Sequence, residues 1–142
     1  MRPVAYDHFY AYDELTDTLR AWANEAPQLC SLESIGRSFE GREIWIVTVT
    51  NSKTGEHQDK PAFLIEANIH SMEWTGCTAA LHLIHKLVTE HGQNDLVTRA
   101  LDTLTGCLSN KDRDVIRGGL HHRRRRHEHD RDDRNTEHDR GG

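Results

Sequence analysis

No stretch of this 142-residue chain approaches the roughly 18 consecutive apolar residues of a membrane-spanning helix, so no membrane span is expected. Its first residues, Met1 to Asp7, lack the apolar h-region of a secretory signal, and nothing else in the chain assigns a compartment. Cysteine is scarce: Cys30, Cys77 and Cys107 are odd in number and widely spaced. Without a CxxC pair they form no zinc knuckle, and each reads as a free thiol in apolar surroundings. Aromatic residues are absent from Ser109 onward, and aliphatic ones nearly so. That segment cannot bury enough apolar surface to offset its chain entropy, and disorder is expected there.

Charge divides the chain in the same place. Residues 1–108 carry 8 Lys and Arg against 15 Asp and Glu, a net of −7. Residues 109–142 carry 10 against 8, a net of +2, and the two sum to the −5 of the whole. A mildly acidic body argues against nucleic acid as a partner. The Arg123–Arg126 run does not reverse this, because acids are interleaved beyond it and no aromatic residue is available for base stacking.

The body reads as α/β. Leu15, Leu19 and Trp22 recur at helical spacing, which predicts a helix over residues 12–26 with Asp13 as N-cap and Pro27 as terminator. Residues 29–35 and the alternating Glu43–Thr50 segment read as strands of a hairpin around the Gly36–Arg42 turn. Residues 61–70 form a mostly apolar run, expected as a strand covered on both faces in the middle of a sheet. A long helix is expected over Thr75–His91, with Ala79, Ala80, Leu83, Ile84, Leu87 and Val88 as its apolar stripe and Gly92 just beyond it. A shorter helix follows over Asp95–Leu104. From Gly106 the texture becomes low-complexity Arg, His and Asp. The expected organisation is therefore a structured part over 1–105 and a disordered tail over 106–142.

The residues that carry chemistry are Asn68-Ile69-His70-Ser71-Met72-Glu73-Trp74. Imidazole and carboxylate are both good zinc donors, and i,i+3 spacing in a turn can converge them on one ion. The segment lies at the C-terminal end of a strand, where open α/β sheets bind ligands. A hydrolytic zinc needs three protein ligands and one open position, so His70 and Glu73 supply two. A plainer alternative stands beside this: His70 ends the strand and Glu73 caps the following helix. His82 and His85, on the long helix, read as a rim and a core histidine.

Three ordered features together resemble the carboxypeptidase A-like zinc metallocarboxypeptidases: the helix containing Tyr12-Asp13-Glu14-Leu15, the Ile35–Ile44 turn into a strand, and the Ala67–Trp74 segment. The resemblance covers about residues 6–105. It implies a partial α/β/α sandwich around a mixed sheet, representing the N-terminal part of a catalytic domain. It implies Zn2+ as cofactor, His70 and Glu73 as metal ligands, and peptide or protein C-termini as substrates hydrolysed by a zinc-bound water. Many relatives carry Arg just before the Glu, where this chain has Met72. The second zinc His, the groups that hold the substrate's terminal carboxylate and the catalytic Glu have no counterpart here. No catalytic residue is therefore assigned, and no substrate-binding one. A truncation or reading-frame change near Thr105–Gly106 is expected. The tail histidines His121, His122, His127, His129 and His138 are expected to bind metal only adventitiously. Two readings result: a zinc metallocarboxypeptidase present as an incomplete domain, or a non-catalytic remnant with weak metal binding.

Overall fold

A computed structural model describes residues 1–70 and 72–110. Helix α1 spans Tyr12–Glu25. Its buried face is Leu15, Leu19 and Trp22, together with Thr16 and Thr18. Trp22 is fully buried, and its indole N–H donates to the Arg2 carbonyl at 3.0 Å, so the one polar group of the ring is satisfied. The N-cap is Ala11 rather than Asp13, and no side chain caps the helix. Asp13 and Glu14 lie instead within the first turn, where their charge faces the positive end of the helix dipole. The Ala26 N–H returns to the Trp22 carbonyl at 3.0 Å, and Pro27 has no N–H with which to continue.

Strands β1 (Cys30–Arg37) and β2 (Glu43–Val49) form the expected antiparallel hairpin, from Cys30 opposite Val49 to Ser34 opposite Trp45. The ladder shifts between Ser34 and Arg37. The turn closes through Ser38 N–H to the Arg42 carbonyl at 2.8 Å and Gly41 N–H to the Ser38 carbonyl at 2.9 Å. Gly41 sits at φ +80°, where a side chain would be strained.

Strand β3 (Ala62–Ala67) and strand β4 (Thr105–Asn110) complete a four-stranded mixed sheet in the order β1-β2-β4-β3. Strand β4 is antiparallel to β2 and parallel to β3. This corrects two expectations. The tail does not begin at Gly106: Gly106–Asn110 are strand, with Gly106–Ser109 paired on both sides and Asn110 with β3, and only the rest of the expected tail lies outside the described residues. Gly-Cys-Leu-Ser-Asn has poor strand propensity, but two flanking ladders outweigh it. Gly106 also has a packing reason to be glycine, since an added Cβ would sit 3.3 Å from the Phe63 ring above it. The second correction concerns β3. Among the described residues it pairs on one side only, with β4, and Phe63 is 44% and Leu64 59% exposed. An apolar run reports what a strand can bury, not which neighbours it has.

Helix α2 spans Trp74–Glu90 and α3 Asp95–Thr103. Asn94 caps α3 by accepting from the Leu96 and Val97 N–H groups at 3.0 and 3.4 Å. Gly92 follows α2 at φ +80°, as a helix C′ residue should. The buried stripe of α2 is Cys77, Leu81, Ile84 and Val88. The stripe is rotated from the expected one: Ala80, Leu83 and Leu87 only flank the core, and Ala79 is exposed. The core joins Leu15, Leu19 and Trp22 of α1, Leu81 and Ile84 of α2, and Val97 and Leu101 of α3 to Cys30, Val47, Val49 and Leu108 of the sheet. The alternate strand residues Ser31, Glu33, Ala62, Leu64 and Glu66 are exposed. The fold is thus α/β with a mixed sheet.

Cys30 lies inside this core at 3% exposure, and burial pushes its thiol up to about 11. Because the thiolate is the nucleophile, alkylation of Cys30 by iodoacetamide at pH 8 should run on the order of 10²-fold slower in the native chain than in urea. Mass spectrometry of the labelled Cys30 peptide reads this directly; equal labelling in both states would show that the core is not formed.

Candidate metal centre

The turn between β3 and α2 begins at Asn68, which sits at φ 58°, a left-handed conformation that asparagine tolerates better than most residues. It reverses the chain at the end of the strand. The Glu73 N–H then donates to the His70 carbonyl at 3.0 Å, and the Gly76 N–H to the Glu73 carbonyl at 3.0 Å, which starts α2. The same turn faces the two side chains toward each other. His70 Nδ1 lies 2.9 Å from Glu73 Oε1, and the His70 backbone N–H donates to Glu73 Oε2 at 3.3 Å. The His70 ring bond, followed by its backbone N–H, holds the Glu73 carboxyl below the usual glutamate range. Both side chains are open to solvent, at 70% and 54% exposure.

Glu73 occupies the N-cap position of α2, yet its side chain makes no capping bond. The carboxylate is committed to His70, so the helix-capping alternative does not describe this turn. Two donors with zinc bonds of 2.0–2.2 Å at a tetrahedral angle lie about 3.4 Å apart. The His70–Glu73 pair at 2.9 Å needs to open by only about half an ångström to meet that spacing. Zinc would take the place of the proton the two share, as ligand sets require. The pair therefore fits two positions of a zinc site. Among the described residues no group of three or more His, Cys, Asp or Glu is placed to hold a metal. The tail histidines lie outside the described residues. His82 is exposed and faces the Tyr6 hydroxyl, while the partly buried His85 packs its ring 5.6 Å from Trp22. This matches the rim and core roles expected of them.

The surroundings of the pair are apolar and carry features that periodicity does not reveal. Met72 is 85% exposed beside Glu73, and Trp74 holds the Phe9 ring edge-on at 5.2 Å. Phe9 belongs to residues 1–11, whose sequence has neither helical nor strand period. Its position against Trp74 had no signal beyond its aromatic character. The Asn68 Oδ1 atom is buried with no hydrogen-bond partner among the described residues.

Comparison with known proteins identifies the family. The family model described as zinc carboxypeptidase matches residues 15–108. Carboxypeptidase A1 of Bos taurus is 31% identical over 99 residues, covering 70% of this chain and 23% of the relative. Carboxypeptidase B of Homo sapiens is 34% identical over 107 residues, covering 72% and 25%. A Saccharomyces cerevisiae protein named inactive metallocarboxypeptidase ECM14 is 28% identical over 103 residues, covering 70% and 24%. The crystal structure of carboxypeptidase A from Helicoverpa armigera superposes with a TM-score of 0.62 at 27% identity, over 73% of this chain and 24% of that one. Thrombin-activatable fibrinolysis inhibitor shares the fold, with a TM-score of 0.65 at 19% identity over 75% of this chain and 27% of that one. The chain spans about a quarter of the length of the curated relatives it matches. A match over most of the body, with the same fold in solved members, means that this chain belongs to the zinc carboxypeptidase family.

Proposed function

We propose that the chain supplies part of a metallocarboxypeptidase domain, in which His70 and Glu73 hold Zn2+ and the substrates are peptide or protein C-termini. The observation that supports this reading is the convergence of His70 Nδ1 and Glu73 Oε1 at the end of β3, in a chain of this family. A zinc ion held there would supply Lewis-acid polarisation of a peptide carbonyl and a nucleophilic water at neutral pH. The chain's own part is narrower. The turn at Asn68 aims both side chains at one point, and the carboxylate of Glu73 stays ionised and ready to coordinate. No general base and no cation for a terminal carboxylate is assigned to these residues, and Met72 offers neither.

A second reading has two observations in its favour. One relative is named as inactive, and no third donor joins the pair among the described residues. On that reading the chain is a non-catalytic remnant that binds metal weakly. Both readings give the same result for the isolated chain. Incubated with zinc and peptides bearing free C-termini, it should release C-terminal residues no faster than buffer. Release that depends on both zinc and His70 would show instead that these 142 residues form a working site.

A further inference from the structure

Residues 1–11 form an arm that lies across both helices of the metal-centre side. Val4 is in the core, the Arg2 carbonyl takes the Trp22 indole N–H, and the Tyr10 hydroxyl takes the Ala5 N–H at 2.8 Å. Tyr6 reaches His82 on α2, and Phe9 lies against Trp74. Between them stands His8, with each ring nitrogen facing a carboxylate. Nδ1 is 2.9 Å from Asp7 Oδ1, and Nε2 is 2.9 and 3.1 Å from the two oxygens of Glu14 on α1. The ring also stacks on Tyr10, with centroids 5.2 Å apart.

This arrangement has one protonation state that satisfies it. A neutral imidazole carries a single N–H, so one of its nitrogens would present a lone pair to a carboxylate. Only the imidazolium donates on both sides. We propose that His8 is a proton-operated clasp: protonated, it fastens the arm to α1 and so holds Phe9 on Trp74, one residue from Glu73, and on deprotonation it lets this stretch of the arm loosen. The groups facing His8 are Asp7 and Tyr10 of the arm and Glu14 of α1. The Tyr6 hydroxyl, at the arm's other ring contact, can donate to His82 or accept from it. Phe9 shows no polar tie among the described residues, and its place follows the residue before it.

The bonds to Asp7 and then Glu14 raise the His8 value above the ordinary imidazole range. A raised value in the folded state means that the clasp is complete below the free imidazole's ~6.5 and is lost as pH rises through the folded value. His8 is exposed, so the effect belongs to the arm and not to global stability.

The test uses the whole chain. Imidazole resonances of His8 are followed by NMR from pH 5 to 9, and the backbone order of residues 7–10 is read from 15N relaxation at the two ends. A peptide of residues 5–10 and the Glu14→Gln chain serve as references. The clasp predicts a His8 midpoint above that of the peptide, falling back toward it in Glu14→Gln. It also predicts a loss of order at Phe9 as His8 deprotonates, and Glu14→Gln should show that lower order already at pH 5. A His8 midpoint equal to the peptide's overturns the proposal. So does order at Phe9 that does not change with pH, or that Glu14→Gln leaves untouched.

Discussion

Replacing Trp22 by alanine should leave the chain largely unfolded at 25 °C. The ring is fully buried, and it stands where Leu15 and Leu19 of α1, Val4 of the arm and His85 of α2 meet. Truncations of this kind cost about 3–5 kcal/mol through lost transfer energy and the cavity left behind. The variant also removes the indole N–H that donates to the Arg2 carbonyl at 3.0 Å. A domain of this size has about 5–15 kcal/mol in total. This body should sit at the low end, because among the described residues β3 pairs on one side only and Phe63 and Leu64 are exposed. Leu96→Ala is the control: the residue is 70% exposed on α3 and its loss should shift a urea midpoint hardly at all. Circular dichroism in urea separates the two. A Trp22→Ala chain as stable as the Leu96→Ala one would mean that α1 is not packed as described.

The second large effect is on metal binding. His70→Ala should weaken zinc binding at the turn by at least roughly 100-fold, since outer-shell partners alone are worth 10–100-fold and His70 is a direct donor. Glu73→Gln should weaken it as well, because the amide keeps the shape but loses the charge that the His70 ring and backbone N–H stabilise. Calorimetric titration of the three chains at pH 7.5 checks these outcomes. The substitutions are gentle on the fold, because both side chains are more than half exposed.

Much of this architecture can be read from the sequence. The Leu15, Leu19 and Trp22 spacing marks α1, the alternation over Glu43–Thr50 marks β2, and the turn with Gly41 joins the hairpin. All are local signals, and local signals are what periodicity carries. Strand β4 was lost because Gly-Cys-Leu-Ser-Asn has no period and low propensity; its strand state comes from β2 on one side and β3 on the other. The one-sided pairing of β3 among the described residues was lost for the converse reason, since apolarity is local and neighbours are not. On α2 small residues are neutral between core and surface, so periodicity does not separate the face with Ala79 and Ala80 from the buried one with Cys77 and Leu81. At the turn after β3, spacing alone brings His70 and Glu73 together. The arm that reaches their border through Phe9 could not be foreseen from residues 60 positions away.

On the function proposed above, the turn after β3 presents one imidazole and one carboxylate to a single zinc ion. Zinc X-ray absorption on the chain loaded with one equivalent tests it most directly. The prediction is one nitrogen donor of imidazole type with oxygen donors completing the shell, and a spectrum that changes in His70→Ala. A shell of several imidazoles, unchanged in His70→Ala, would place the metal elsewhere in the chain and contradict the account.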